Sequence, residues 1–306
     1  MELLTNVLAA TVVAGTPLLL VALGELICER SGVLNLGQEG MMLMGAVAGF
    51  VAALTSGSLV VGVAAAILAG IGMSLLFAFM AVTLAANQYA AGLALTIFGT
   101  GLSAFLGAGF VGQSIDGFTR VAIPLLSDIP VLGRVLFDQD PLVYLSLVAF
   151  AGVAIFLRYT RGGLLLRAVG EDPEAANANG IKVLVVRYLA VAFGGGMAGL
   201  SGAYLSLAYT PLWTENMTAG RGWIALALVV FATWRPERVV LGAYLFGAAS
   251  ILHLVLQGLG WNSSTELLAM LPYIVTILML VLLSWNPART RLNTPLSLGQ
   301  PYRPGH

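Results

Sequence analysis

Charge is what this chain has least of. Only 9% of its 306 residues are Asp, Glu, Lys or Arg, whereas soluble domains carry about a quarter. With 59% hydrophobic residues and a mean hydropathy of +0.94, the composition is that of an integral membrane protein. The formal net charge is zero and no run of like charge reaches the length of an interaction tail, which excludes nucleic acid as a partner. The single cysteine, Cys28, excludes an intramolecular disulfide framework and a cysteine-based metal site; it is expected to be a small buried hydrophobe. The single lysine, Lys182, follows Ile181, so the phosphate-cradling pattern Gly-x4-Gly-Lys-Ser/Thr is absent and ATP is not bound by that route. Two histidines, His253 and His306, form no zinc motif, and no Gly-x-Ser-x-Gly nucleophile elbow exists, so an intramembrane enzyme is poorly supported. His253, on an apolar stretch, is expected to be packed or hydrogen-bonded. No basic region precedes the first apolar run, and it is expected to stay as a span instead of being removed as a signal peptide.

Apolar runs, by contrast, are plentiful. A helix crosses the hydrocarbon core with about 20 apolar residues, and candidate spans lie at 7–27, 38–55, 59–85, 90–112, 142–158, 188–208, 222–234, 239–257 and 267–285. The fold class expected is all-α: a polytopic transmembrane helix bundle of about 8–10 helices over residues 1–285, facing lipid, with broken or re-entrant elements. The run at 222–234 is short but ends in the polar turn from Trp234 to Arg238, and is counted as a span completed by 217–221. Placing 159–187 in the cytoplasm puts eleven of the fourteen basic residues there and leaves Arg120, Arg134 and Arg221 outside, with the N-terminus outside. The tail, 286–306, has no apolar face and is expected to be a flexible cytoplasmic end. Segment 113–141, with Asp116, Asp128, Asp138, Asp140, Arg120 and Arg134, is the longest outer piece: a surface for a soluble partner or a plain solvated loop. Among 37 glycines, Gly195 and Gly199, like Ala198 and Gly202, are four apart and suit close helix packing, with a hinge as the weaker reading.

Three polar islands interrupt the apolar pattern. In the first, at 171–180, Asp172 is a good N-cap, Pro173 fits the first helical position and Gly180 can supply the left-handed stop, which predicts a short cytoplasmic helix. The second crowds Glu25, Glu29, Arg30, Asn35, Gln38 and Glu39 between apolar runs. Charges at membrane depth must face protein, water or a pathway, so the stretch reads as a broken or re-entrant element, or else as an interfacial loop in which Glu29 and Arg30 pair in water. The third runs from Trp213 to Trp223 and precedes another helix. Glu39-Gly40-Met41 and Glu215-Asn216-Met217 each precede a glycine-containing helix, a short hint of an inverted repeat.

The stretches Glu29 to Met41 (ERSGVLNLGQEGM), Asn87 to Leu95 (NQYAAGLAL) and Glu215 to Leu226 (ENMTAGRGWIAL) together resemble the permease subunits of bacterial ATP-binding-cassette importers of the branched-chain amino acid, ribose and nucleoside group, most closely its nucleoside and simple-sugar branch. The resemblance runs from about residue 15 to 285. The family often has Asn where this chain has Thr96, and commonly Phe at Trp223. The resemblance implies that Glu174, Ala175, Ala176 and Gly180, with Asp172 and Pro173, form a coupling helix that docks into a cleft of a separate ATPase subunit, which would hold ATP and Mg while this chain carries no cofactor. It further implies an extracytoplasmic substrate-binding protein, a second homologous permease subunit, often in a heterodimer, and a bacterial plasma-membrane location. Asn35, Gln38, Glu39, Asn87, Glu215 and Asn216 are the polar groups expected to flank gates or cavity walls, or to fix backbone at helix breaks; they do not share one depth and so do not make one substrate site. An ion- or proton-coupled secondary transporter and a membrane scaffold without transport are the alternatives; the coupling-like helix argues against the first, and the second predicts no substrate-dependent flux in reconstituted vesicles.

Overall fold

The computed structural model describes residues 2–258, 270, 274, 277, 278, 281 and 293–303. Most of the expected span at 267–285 and the side chain of His253 therefore lie outside the described residues. Seven described helices are long and apolar enough to cross a membrane. They are α1 (Glu2–Arg30), α2 (Gln38–Ser56), α3 (Leu59–Ala78, prolonged by a wide turn to Thr83), α4 (Gln88–Gly107), α6 (Pro141–Tyr159), α9 (Val183–Tyr204, prolonged to Tyr209) and α11 (Pro236–Gly258). Between them stand α5 (Leu132–Leu136), α7 (Arg161–Glu171), α8 (Pro173–Ala178) and α10 (Arg221–Phe231). All seven coincide with apolar runs in the sequence. The eighth run gives α10, whose 11 residues reach about 16 Å, roughly half the hydrocarbon thickness.

The helices fall into an inner and an outer set. In α1, α2 and α9, 72%, 67% and 61% of the most apolar window is buried, against 28% for α3, α4 and α6. Leu19, Leu20, Leu23, Leu26, Met41, Met42, Leu43 and Phe50 are fully buried and form the centre of the core, whereas Leu68, Ile97, Phe105, Val148 and Leu189 stand exposed on the faces that lipid would cover. Lipid is as apolar as leucine, so packing here depends on backbone proximity. Small residues supply it on three faces of α9. Gly194 and Met197 meet Gly24 of α1, Gly195 and Gly199 meet Gly70 of α3, and Gly202 meets Met42 of α2. A Cβ on Gly24 would come within 2.7 Å of the Met197 Cβ, so close packing is what the four-residue spacing of small residues achieves.

Segment 113–141 is folded. Strands β1 (Val121–Ala122) and β2 (Asp138–Gln139) pair antiparallel around α5. The Ile115 and Phe118 amides donate to the carbonyls of Pro211 (3.1 Å) and Leu207 (2.9 Å), seating the segment on the end of α9. Asp140 caps α6 by accepting from the amides of Leu142 (2.9 Å) and Val143 (3.1 Å), and burial raises its carboxyl above the ordinary aspartate range.

Candidate functional site

The polar residues gather mainly at one end of the bundle, around two motifs of opposite construction. One is the hairpin of α7 and α8. Its turn is built from local chemistry alone: Asp172 Oδ1 accepts from the amides of Glu174 (3.0 Å) and Ala175 (2.9 Å), Pro173 opens α8, and Gly180 adopts a left-handed φ of +80° where the chain leaves it. Glu174 and Ala175 are exposed, but Ala176 is turned inward against Val169, Val183 and Tyr302. The face expected from Glu174 to Ala176 is thus narrower than three residues. Arg158, just before the hairpin, makes an exposed 2.7 Å pair with Glu237 of α11, an interaction worth about 1 kcal/mol at most.

The other motif is the turn 31–37. The sequence leaves open a break beginning near Glu25 or a wet loop; in the structure α1 continues as helix through Glu25 and Glu29 to Arg30, and the non-helical backbone that follows is buried. Much of the unwound backbone finds distant partners, as burial requires, while the amides of Gly32 and Val33 close on the Glu29 and Cys28 carbonyls. Glu25 Oε1 accepts from the Asn35 amide (3.0 Å) while its other oxygen accepts from the Gln38 side chain. Gln88 of α4 accepts from the Leu34 amide (2.8 Å), Thr96 donates to the Leu36 carbonyl (2.8 Å), and Arg187 of α9 donates to the Ser31 carbonyl (3.2 Å). Asn35 folds its side-chain oxygen onto the Gly37 amide (2.9 Å). Thr96 therefore makes a polar contact with the turn although the family often has Asn there.

Glu29 and Arg30 do not pair. Glu29 is fully buried and accepts from the indole of Trp234, while Arg30 forks onto the Trp234 carbonyl from Nε (3.2 Å) and Nη2 (2.7 Å). The fork clamps a turn in which Thr233 (φ +49°) and Trp234 (φ +54°) occupy the left-handed region, where non-glycine residues are strained.

Of the remaining candidate pathway residues, Glu39 has the most telling position. Its carboxylate sits at the start of α10, accepting from the amides of Gly220 (2.8 Å) and Gly222 (2.6 Å) and from the Thr218 hydroxyl. An acid at a helix N-terminus satisfies orphan donors and the positive end of the dipole, but this one comes from another helix 181 residues away in sequence. The start of α2 and the start of the half-length α10 thus meet at this carboxylate. Asn87 caps α4 by accepting from the Ala90 amide (3.0 Å). Glu215 and Asn216 are exposed in the loop before α10, away from Asn35 and Gln38. The six pathway candidates are thus dispersed over three places, with Asn35, Gln38 and Glu39 brought together on either side of the α2 start.

Several residues escaped sequence reasoning. Arg187 and Gln88 hold backbone at these breaks, Thr218 and Trp234 donate to the buried carboxylates of Glu39 and Glu29, and Trp213, fully buried, packs against Gly107. Arg187 had a legible signal: a cation interrupting an apolar run, at the edge of the segment expected in the cytoplasm. Among the described residues no group of three or more His, Cys, Asp or Glu side chains has a metal-binding arrangement.

Comparison with known proteins gives this geometry its context. Residues 7–281 match the model of the family described as branched-chain amino acid transport system / permease component. TsgC13 of Haloferax volcanii, which is assigned as a glucose ABC transporter permease protein, is 43% identical over 99% of this chain and 98% of its own length. The guanosine ABC transporter permease protein NupQ of Bacillus subtilis is 33% identical over 99% of this chain and 98% of its own. The nucleoside ABC transporter permease protein NupC of Lactococcus lactis is 33% identical over 90% and 91%. No solved structure matches the chain significantly. The chain belongs to the branched-chain amino acid transport system permease family, as a multi-pass, non-catalytic membrane subunit of an ABC importer that works with ATPase and binding-protein partners.

Proposed function

We propose that this permease passes a neutral, polyhydroxylated solute, a simple sugar or a nucleoside, from an extracytoplasmic binding protein across a prokaryotic plasma membrane. The relatives named for glucose, guanosine and nucleosides, each similar over nine-tenths or more of its length, support that solute class. The α7–α8 hairpin faces the cytoplasm in this reading, in keeping with Arg158, Arg161, Arg167 and Lys182 around it. The observation that carries the coupling role is the rigid, locally capped α8 with Glu174 and Ala175 exposed at its tip. Asp172, Pro173 and Gly180 fix that helix, and the ATPase subunit receives it. A second homologous permease completes the pathway, in a heterodimer. Asn35, Gln38 and Glu39, at the junction of α2 with the turn and α10, are the gate; Asn87, Glu215 and Asn216 hold or flank its approaches.

Reconstitution into proteoliposomes with the ATPase and binding-protein partners provides the test. Uptake of labelled glucose or guanosine that requires ATP is the expected result, and Glu174→Lys is expected to lower ATPase capture about tenfold, a change of about 1.4 kcal/mol. Uptake that persists without ATP, or undiminished capture by the lysine variant, overturns the reading.

A further inference from the structure

Residues 293–303, expected to be part of a flexible end, lie instead against both motifs of the site. Ser297 binds the Gly170 carbonyl at the end of α7 through its amide (3.0 Å) and its hydroxyl (2.7 Å). Two residues on, the Gly299 amide donates to the Gly32 carbonyl of the buried turn (3.2 Å). Gln88, which holds Leu34 of the same turn, donates its side-chain amide to the Gln300 carbonyl (3.3 Å). Tyr302 is buried beside Ala176, on the inner side of α8. One short segment thus touches α7, α8 and the turn at once.

Arg187 is the node at which these contacts meet. It is 1% exposed, and among the described residues no carboxylate pairs with it. Its guanidinium donates to the Ser31 carbonyl (3.2 Å), the Gln300 carbonyl (3.4 Å) and the Ser297 hydroxyl (3.3 Å), and lies 5.7 Å from the Tyr302 ring centre. A buried cation held only by neutral acceptors is costly unless all of them stay in place. Displacing the turn or the tail alone would strip acceptors from Arg187, and the hairpin is bonded to the tail through Ser297, so the three are constrained to shift together.

Resting on the function proposed above, we propose that the 293–303 segment and Arg187 form a strap that carries the displacement of the coupling hairpin to the turn before α2. Arg187 is in this sense a positioning residue: it acts through the Ser31 and Ser297 ends of the strap. A polar cleft of about 480 Å³ lies between the start of α8 and the strap, bordered by Glu171, Glu174, Gln300 and Arg303, so the strap sits beside the docking face without covering it.

The strap is tested in the complete transporter with three permeases: one ending at residue 292, Tyr302→Ala and Arg187→Lys. Capture of the ATPase, ATP hydrolysis, and glucose or guanosine uptake are measured on the same reconstituted samples. The expected result is capture and hydrolysis within about twofold of the unaltered complex but ATP consumed per solute raised about tenfold in the shortened chain, a size common for coupling between sites. Tyr302→Ala and Arg187→Lys, which keep the segment and the charge respectively, are expected to raise the ratio by about threefold. An unchanged ratio, whether uptake is normal or falls in step with hydrolysis, overturns the strap, because loss of folded protein alone lowers both together. Loss of capture also overturns it, since the segment would then belong to the docking contact. Failure of the underlying function shows separately, as no ATP-dependent uptake by the unaltered complex.

Discussion

The hairpin at 161–180 and the turn at 31–37 lie a few ångströms apart and are both breaks in long helices, yet they are held in opposite ways. Every bond that shapes the hairpin's turn comes from within a few residues: Asp172 to the next amides, Gly180 closing on Asn177. The turn closes in part on its own neighbours but borrows its other partners from α1, α4, α9 and the tail, from Glu25, 10 residues away, to Gly299 near the far end of the chain. One is built to be displaced as a unit, with its shape intact wherever it goes. The other exists only while the helices around it keep their places, which makes it responsive to their movement.

The contrast predicts a gradient of mutational effect. Glu25→Ala should cost the most, because it leaves the Asn35 amide and the Gln38 side chain unpaired in a dry interior at about 1–3 kcal/mol for each group. Thermal unfolding in detergent should show a large drop; a midpoint within a degree of the unaltered protein would mean the turn is not held from α1. Glu39→Ala removes the acceptor from the start of α10 and should cost about 2 kcal/mol, with Thr218→Val losing about half as much. Equal effects of the two would deny that the carboxylate acts as a cap. Asp172→Ala should be mildest, about 1 kcal/mol confined to α8. Hydrogen exchange should quicken there while the global unfolding midpoint holds, and a global collapse would erase the distinction between the two motifs.

What could be read in the sequence follows the same division. The hairpin was legible because Asp-Pro at one end and Gly at the other act on their own neighbours, whatever the rest of the fold does. The apolar runs were legible because a helix in lipid must satisfy its own backbone, and seven long helices lie where those runs do. The small-residue spacing on α9 announced close packing but not which helix each face meets. At the turn, residue types were legible but their partners were not. That α10 begins on Glu39 was not legible in the sequence, and the Glu29-Arg30 pair suggested by adjacency is replaced by two separate grips on Trp234. The tail lacks an apolar face and so resembled a free end; its carbonyls, amides and hydroxyls are nonetheless the partners that Arg187, Gln88 and Gly32 need.

By itself the sequence determined the membrane class, the positions of the crossing helices, the capped helix at 173–178 and the family. Those features depend on composition, on runs of about 20 residues and on caps, all of which act over short distances along the chain. Only the tertiary structure decided that most of the polar cluster at 25–39 is buried, that α2 and α10 meet end to end, and that Arg187 joins the tail to the turn. Each of those is a hydrogen bond between groups far apart in sequence. Their value comes from burial, and burial exists only once the helices have packed.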